Sequence, residues 1–377
     1  MVEILETNPT EKNHVSDRFV KIAGQRFHYV WLYDHCLCPI CHDPSSFQKM
    51  KDLSDRTTLP KPKSLEIGEE QLIIDWDEDI PHRSIFPLSW LSHRSYDGLP
   101  EQESVSVGEK ILWNRGYLEA NPPELPEFGV HNQEYWINQL DTLGFTVVRN
   151  IDWSKLDTFV SSIGPIYYLA KYGRYATVKA IPNGQDLSLS ANGLSPHTDL
   201  TFIPSTHIIQ LLYCVENEAS GGESTLVDGF RVASDFRQAN PQYFEILSQT
   251  PVKFSQFYQD WDYYVTNKTP IIKLGEKEEI TNIFFSHKNL NLDLPFDQVE
   301  GFYEAYYAFF RYLKNPAYEY SFRLEPGDCL LVQNFRILHG RKAFKPSSGS
   351  RHLEIVYMDW IYFRGRRDFH QIKSLYI

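Results

Sequence analysis

His197-Thr198-Asp199 places an imidazole and a carboxylate two residues apart, and a second imidazole, His339, comes only after a long intervening stretch. If the three serve one site, the chain must fold so that distant segments meet on a rigid frame. Two imidazoles and one carboxylate on one face of a metal leave three coordination positions open, which suits Fe(II) with a bidentate 2-oxo acid and O2. Arg351 follows His339 at short range. A guanidinium fork pairs two-pronged with a carboxylate, as the far end of a dicarboxylate co-substrate requires. The four residues together point to Fe(II)/2-oxoglutarate oxygenation.

An HxD pair carries little by itself in a chain with 13 histidines, and Leu194 to Asp199 reads as readily as a surface turn. The residues ahead of the second histidine carry more. Pro326-Gly327-Asp328 is a turn signal, Cys329-Leu330-Leu331-Val332 is a buried-strand run, and Asn334 to Arg341 comes directly after it. His339 is accordingly expected at the end of a strand, where a scaffold can present a ligand.

Four segments occur in a fixed order: Leu194-Ser195-x-His197-Thr198-Asp199; Gly221-Gly222-Glu223-Ser224 with Val227-Asp228-Gly229-Phe230; Leu338-His339-Gly340-Arg341; and Ser350-Arg351-His352-Leu353-Glu354 with Tyr357 and Asp359-Trp360. In them the chain resembles the γ-butyrobetaine dioxygenase and trimethyllysine dioxygenase group of the TauD-like 2-oxoglutarate oxygenases, over roughly residues 140 to 365. The resemblance implies a mainly β protein with flanking helices, its catalytic domain a distorted double-stranded β-helix of the jelly-roll type. It implies Fe(II) on His197, Asp199 and His339, the distal carboxylate of 2-oxoglutarate on Arg351, the Ser224 hydroxyl as a second donor, and O2 as oxidant. Arg341, two residues past His339, is the alternative anchor. A homodimer is also implied.

For the substrate, the resemblance implies a small zwitterion. A trimethylammonium group is held by an aromatic cage through cation–π attraction, because it has no N–H to donate. Tyr172 and Tyr357 match two cage tyrosines, with ordinary aromatic packing as the alternative reading of both. Two other cage positions differ: Ala176 stands where the family has a tryptophan, and Leu189 where it has a tyrosine. Trp261, Tyr263 and Tyr264 are the aromatics that could rebuild a cage from another loop. Tyr357 shares strand parity with Arg351, Leu353 and Ile355, yet a straight strand would put it on the order of 20 Å from Arg351. Hydroxylation is the expected outcome. The altered cage motivates a second, desaturation or oxidative cyclisation in a specialised biosynthetic pathway. A third, a binding protein without turnover, fits poorly with a complete ligand set.

A separate signal lies near the N-terminus. Cys36-x-Cys38-x-x-Cys41 with His82 further on offers three thiolates and one imidazole, the set that closes a tetrahedral structural Zn(II) site. His35 and His42 are competing imidazoles, but as immediate neighbours of ligating cysteines they would have to double back. The alternative reading is free cytosolic thiols without metal. Cys214 and Cys329 fall in apolar runs and read as core.

A chain of 377 residues is long for one ordinary core, and 42% hydrophobic with 15% aromatic residues can fill two. Two domains are expected: residues 1–110, a small β-rich zinc-bearing domain with its linker, and residues 111–377, the oxygenase. A formal charge of −12 without a dense basic stretch argues against nucleic acid. No apolar run approaches the roughly 18 residues of a membrane span, and the acidic start lacks a signal pattern, so a cytoplasmic protein is expected.

Residues 18–34 and 70–76 carry short β-rich runs such as 27–33 and 72–76, with a polar loop over 52–63 between them. The proline-bearing stretch 97–128 reads as a linker. Residues 132–143 read as a helix, 144–149, 206–214 and 224–227 as strands, and 230–249 as mainly helical. Over 297–313, Val299, Phe302, Tyr306, Phe309, Phe310 and Leu313 recur at helical spacing, so these aromatics read as core.

Overall fold

The computed structural model describes residues 3–7, 14–54, 56–98, 110–167, 173–179, 191–259 and 262–373. The chain divides into two compact units, Met1–Ser106 with His370–Ile377, and Val107–Phe369.

In the first unit a four-stranded sheet takes its strands from Glu3–Thr7, Pro62–Ile67, Gln71–Trp76 and Arg83–Pro87. Leu72, Ile74 and Trp76 alternate onto one buried face, the period-2 pattern of a half-buried strand. The aromatic run at 27–33 behaves differently from its strand-like reading. A short strand, Gln25–His28, ends at His28, and Tyr29–Asp34 is a helix. The reason lies in spacing: Tyr29, Leu32 and Tyr33 are the residues buried, an i, i+3, i+4 set that only a helix places on one face. Aromatic β-propensity yields to that packing.

The second unit is built on nine antiparallel strands: β1 (Phe145–Val148), β2 (Ala176–Lys179), β3 (Leu194–His197), β4 (Ile208–Asn217), β5 (Ser224–Asp228), β6 (Tyr320–Phe322), β7 (Cys329–Gln333), β8 (Ile337–Arg341) and β9 (Arg351–Asp359). They form two sheets, ordered β1-β7-β4-β9-β2 and β3-β8-β5-β6. On β4, Leu212 and Cys214 join Leu226, Leu330 and Leu353 in one apolar cluster. Ile209, Leu211 and Tyr213 point the other way, into a cluster with Trp136, Ile137, Leu140, Phe159 and Val160 from two covering helices. Each large apolar side chain so buried contributes about 1.5–3 kcal/mol.

The covering helix Gln133–Leu143 starts where Asn132 accepts the Tyr135 N–H and stops at Gly144. Gly144 has φ +81°, and a Cβ there would meet Ile337 at 2.8 Å, so the turn into β1 needs glycine on both counts. Residues 230–249 form two helices, Gly229–Ala239 and Pro241–Gln249, broken where proline follows Asn240. The reading of 97–128 as linker holds less well. Arg115–Ala120 is a helix, and Trp113 and Leu118 are buried in the same cluster as Leu226 and Leu330. Proline frequency masked that burial.

His339 lies at the centre of its own strand, β8, and not at the end of the preceding one. The turn between β7 and β8 is pinned from beneath by Arg336. Its guanidinium pairs with Asp228 at 3.0 Å, both side chains essentially unexposed, and donates to the carbonyls of Thr142 and Ile111. Removing one partner of such a pair leaves a buried charge uncompensated, costing about 3–5 kcal/mol.

Candidate functional site

His197 and His339 are brought together by the β3–β8 ladder, where they stand directly opposite each other. Their ring centroids lie 4.5 Å apart. Asp199, just past β3, completes the group: His197 Nε2 is 3.4 Å from its Oδ1, and His339 Nε2 is 3.5 Å from its Oδ2. One ligand atom from each of the three lies within 4.8 Å of the others, a spacing that one ion can bridge. His197 Nδ1–H donates to the Ser195 carbonyl at 2.9 Å, which leaves Nε2 facing the carboxylate.

The turn carrying Asp199 is held at both main-chain groups. Its N–H donates to Asn334 Oδ1 and its carbonyl accepts from Asn334 Nδ2, both at 2.8 Å. The neighbouring Thr198 N–H donates to the Phe285 carbonyl, and the Phe285 N–H returns a bond to Thr198 Oγ1. Burial alone would raise the Asp199 carboxyl, but the imidazoles of His339 and His197 hold it well below the usual carboxylate range. Burial, with His197 beside it, lowers His339.

A cavity opens over this group. Along β9 it is lined by Arg351, Leu353, Ile355 and Tyr357, with Ala176, Ser224 and Arg341 from neighbouring strands. Arg351 is buried, and its Nε finds no hydrogen-bond partner among the described residues. Burial, then the nearby Arg341, pushes its guanidinium down to about 10, still cationic near neutrality. Gly222 makes room for it, since a Cβ there would stand 3.1 Å from Arg351 Nε. Arg341 also faces the cavity, while its Nη2 donates to the Asn192 carbonyl at 2.7 Å. Two buried guanidiniums with a nearby hydroxyl, Ser224, fit the far carboxylate of a dicarboxylate.

Tyr357 lines the same cavity, but its hydroxyl is directed at the His197–Asp199–His339 group, donating to Asp199 Oδ2 at 2.7 Å. Ala176 lines the cavity as well. Tyr172, Leu189 and Trp261 fall outside the described residues. Tyr263 and Tyr264 are about half exposed and are absent from the described lining; Tyr258 of the same hairpin takes that place. Several residues were not anticipated: Gln210, Asn334, Gln256, Tyr258, Lys288 and Asn289. Only Gln210 carried a signal, as a lone amide inside the apolar run Ile208-Ile209-Gln210-Leu211-Leu212.

The N-terminal cluster is equally convergent. His82 Nε2 lies 3.3 Å from Cys36 Sγ, 3.7 Å from Cys38 Sγ and 3.3 Å from Cys41 Sγ. His82 Nδ1 faces Glu78 Oε2 at 3.2 Å, which turns Nε2 toward the thiols. His35 is stacked on Trp31 at 4.2 Å with Nδ1 on the Trp31 carbonyl, and His42 lies beside Phe47, so neither competing imidazole joins the cluster. Cys214 and Cys329 are fully buried. Among the described residues no helix is long and apolar enough to cross a membrane.

Comparison with known proteins agrees with this geometry. The chain is 29% identical over 352 residues to human γ-butyrobetaine dioxygenase, covering 88% of this chain and 87% of that protein. It is 29% identical over 350 residues to the γ-butyrobetaine dioxygenase of Pseudomonas sp. (strain AK-1), with 88% and 87% covered. With bovine mitochondrial trimethyllysine dioxygenase it shares 29% over 345 residues, with 85% and 77% covered. Residues 117–357, which include His197, Asp199, His339 and Arg351, match the family described as "Taurine catabolism dioxygenase TauD, TfdA family", and the chain belongs to that family as a 2-oxoglutarate-dependent dioxygenase.

Proposed function

We propose that the protein hydroxylates an unactivated C–H bond of a small zwitterionic amino acid or betaine-like substrate. His197, Asp199 and His339 hold Fe(II), and Arg351 receives the distal carboxylate of 2-oxoglutarate, with Ser224 as a second donor. The observation that carries this reading is the convergence of two imidazoles and one carboxylate beside a buried guanidinium whose Nε lacks a partner among the described residues. Bound iron supplies oxidative decarboxylation of 2-oxoglutarate to succinate and CO2, coupled to oxygenation of the C–H bond.

The chain's own part is to position and to exclude. The apolar lining from Leu194, Leu212, Leu353 and Ile355 disfavours water in the cavity. Arg351 and Arg341 orient the co-substrate, and Tyr258, Tyr357 and Phe202 provide the aromatic walls against which a substrate cation can lie. A second reading, desaturation or ring closure by the same iron chemistry, is favoured by Ala176, which lines the cavity with a methyl group where the resembled family carries a cage tryptophan. Zn(II) on Cys36, Cys38, Cys41 and His82 and a homodimeric assembly complete the proposal.

The deciding experiment follows Fe(II)-dependent succinate formation across γ-butyrobetaine, trimethyllysine and ordinary amino acids, with mass analysis of each candidate substrate. Gain of one oxygen atom supports hydroxylation. Loss of two hydrogens selects the second reading, and no succinate with any of them counts against both.

A further inference from the structure

Gln210 sits in the middle of β4, directly across the ladder from Tyr357 on β9. The two side chains reach the same atom. Gln210 Nε2–H donates to Asp199 Oδ2 at 2.5 Å, and the Tyr357 hydroxyl donates to it at 2.7 Å. A carboxylate oxygen offers two in-plane acceptor positions. Oδ2 therefore has both filled by neutral donors, with His339 Nε2 further off at 3.5 Å from Oδ2 and 3.4 Å from Gln210 Nε2, whereas Oδ1 has no such donor and faces only His197 Nε2 across 3.4 Å.

We infer that Gln210 is a positioning residue which, together with Tyr357, confines Asp199 to binding the metal through Oδ1 alone. The inference rests on the iron-site reading above. Its chemical consequence concerns the open positions. Three remain when each of the three residues supplies one atom, and a 2-oxo acid with O2 needs all three. A carboxylate free to bind through both oxygens would take one of them.

Burial tells against a merely structural role. Gln210 is fully buried between apolar neighbours, and its Oε1 finds no hydrogen-bond partner among the described residues. An amide kept in a core with one end unsatisfied is destabilising relative to an apolar residue of the same shape. A position selected for packing would hold leucine, as its neighbours Leu211 and Leu212 do. The donated N–H is what the chain retains.

The test uses the full-length protein loaded with Mn(II) or Co(II), so that no turnover intervenes. Gln210→Leu removes the donor, Gln210→Glu keeps the shape without an N–H, and Tyr357→Phe removes the other donor. Calorimetry would measure Mn(II) binding and then 2-oxoglutarate binding to the Mn(II)-loaded form, and visible absorption would report changes in the ligand set of Co(II). Each variant is expected to bind 2-oxoglutarate about tenfold more weakly, to bind Mn(II) as tightly as wild type or more tightly, and to give an altered Co(II) spectrum as the second carboxylate oxygen replaces a water. Should Gln210→Leu fail to fold, the other two variants carry the test. Affinity for 2-oxoglutarate within about twofold of wild type overturns the inference, and so does a matching loss of Mn(II) binding. Wild-type protein that takes up no Mn(II) would sink the metal-site reading itself.

Discussion

The two clusters of ligating side chains are built in opposite ways. In the N-terminal unit, Cys36, Cys38 and Cys41 lie within six residues of chain and need only His82 from elsewhere. In the second unit, His197 and Asp199 meet His339 only because β3 and β8 are paired. The first cluster offers four ligands and would close a tetrahedral shell; the second offers three and leaves positions open. A closed set contributes to folding, and an open one, held by the scaffold, is available for chemistry.

The substitutions that best separate the two begin with Asp199→Ala. It is expected to lower iron-dependent succinate formation about 10^3-fold or more while zinc content stays unchanged; turnover within an order of magnitude of wild type would exclude the facial triad. Next, Cys38→Ser should reduce zinc stoichiometry and destabilise the N-terminal unit by several kcal/mol. Metal analysis with calorimetric melting checks this, and an unaltered zinc content would refute the site. Arg351→Met addresses the open side alone. The KM for 2-oxoglutarate should rise about 10- to 100-fold with both metals retained, and an unchanged KM would shift the anchor to Arg341. The smallest effect is expected for Ser224→Ala, about 0.5–1.5 kcal/mol in the same constant. A shift larger than that of Arg351→Met would reverse their assigned roles.

The same contrast explains what could be read from the chain. Cys36, Cys38 and Cys41 announce themselves by proximity, and the helices at 133–143 and 296–313 by capping and spacing. His197, Asp199 and His339 were legible because their residue types are restricted by chemistry. Gln256, Tyr258, Lys288 and Asn289 were not, because what brings them to the cavity is a hairpin and a turn whose placement depends on long-range packing. Tyr357 was legible as a residue of the cavity face. Its bond to Asp199 depends on how β9 lies against β4, which strand parity alone does not reveal.

Asn334, with its amide bonded to both main-chain groups of Asp199, has a consequence for the life of the enzyme. A backbone fastened by the protein itself does not depend on an ion for its shape. If the site holds iron as proposed, stripping the ion with a chelator and restoring it should return activity without any refolding step.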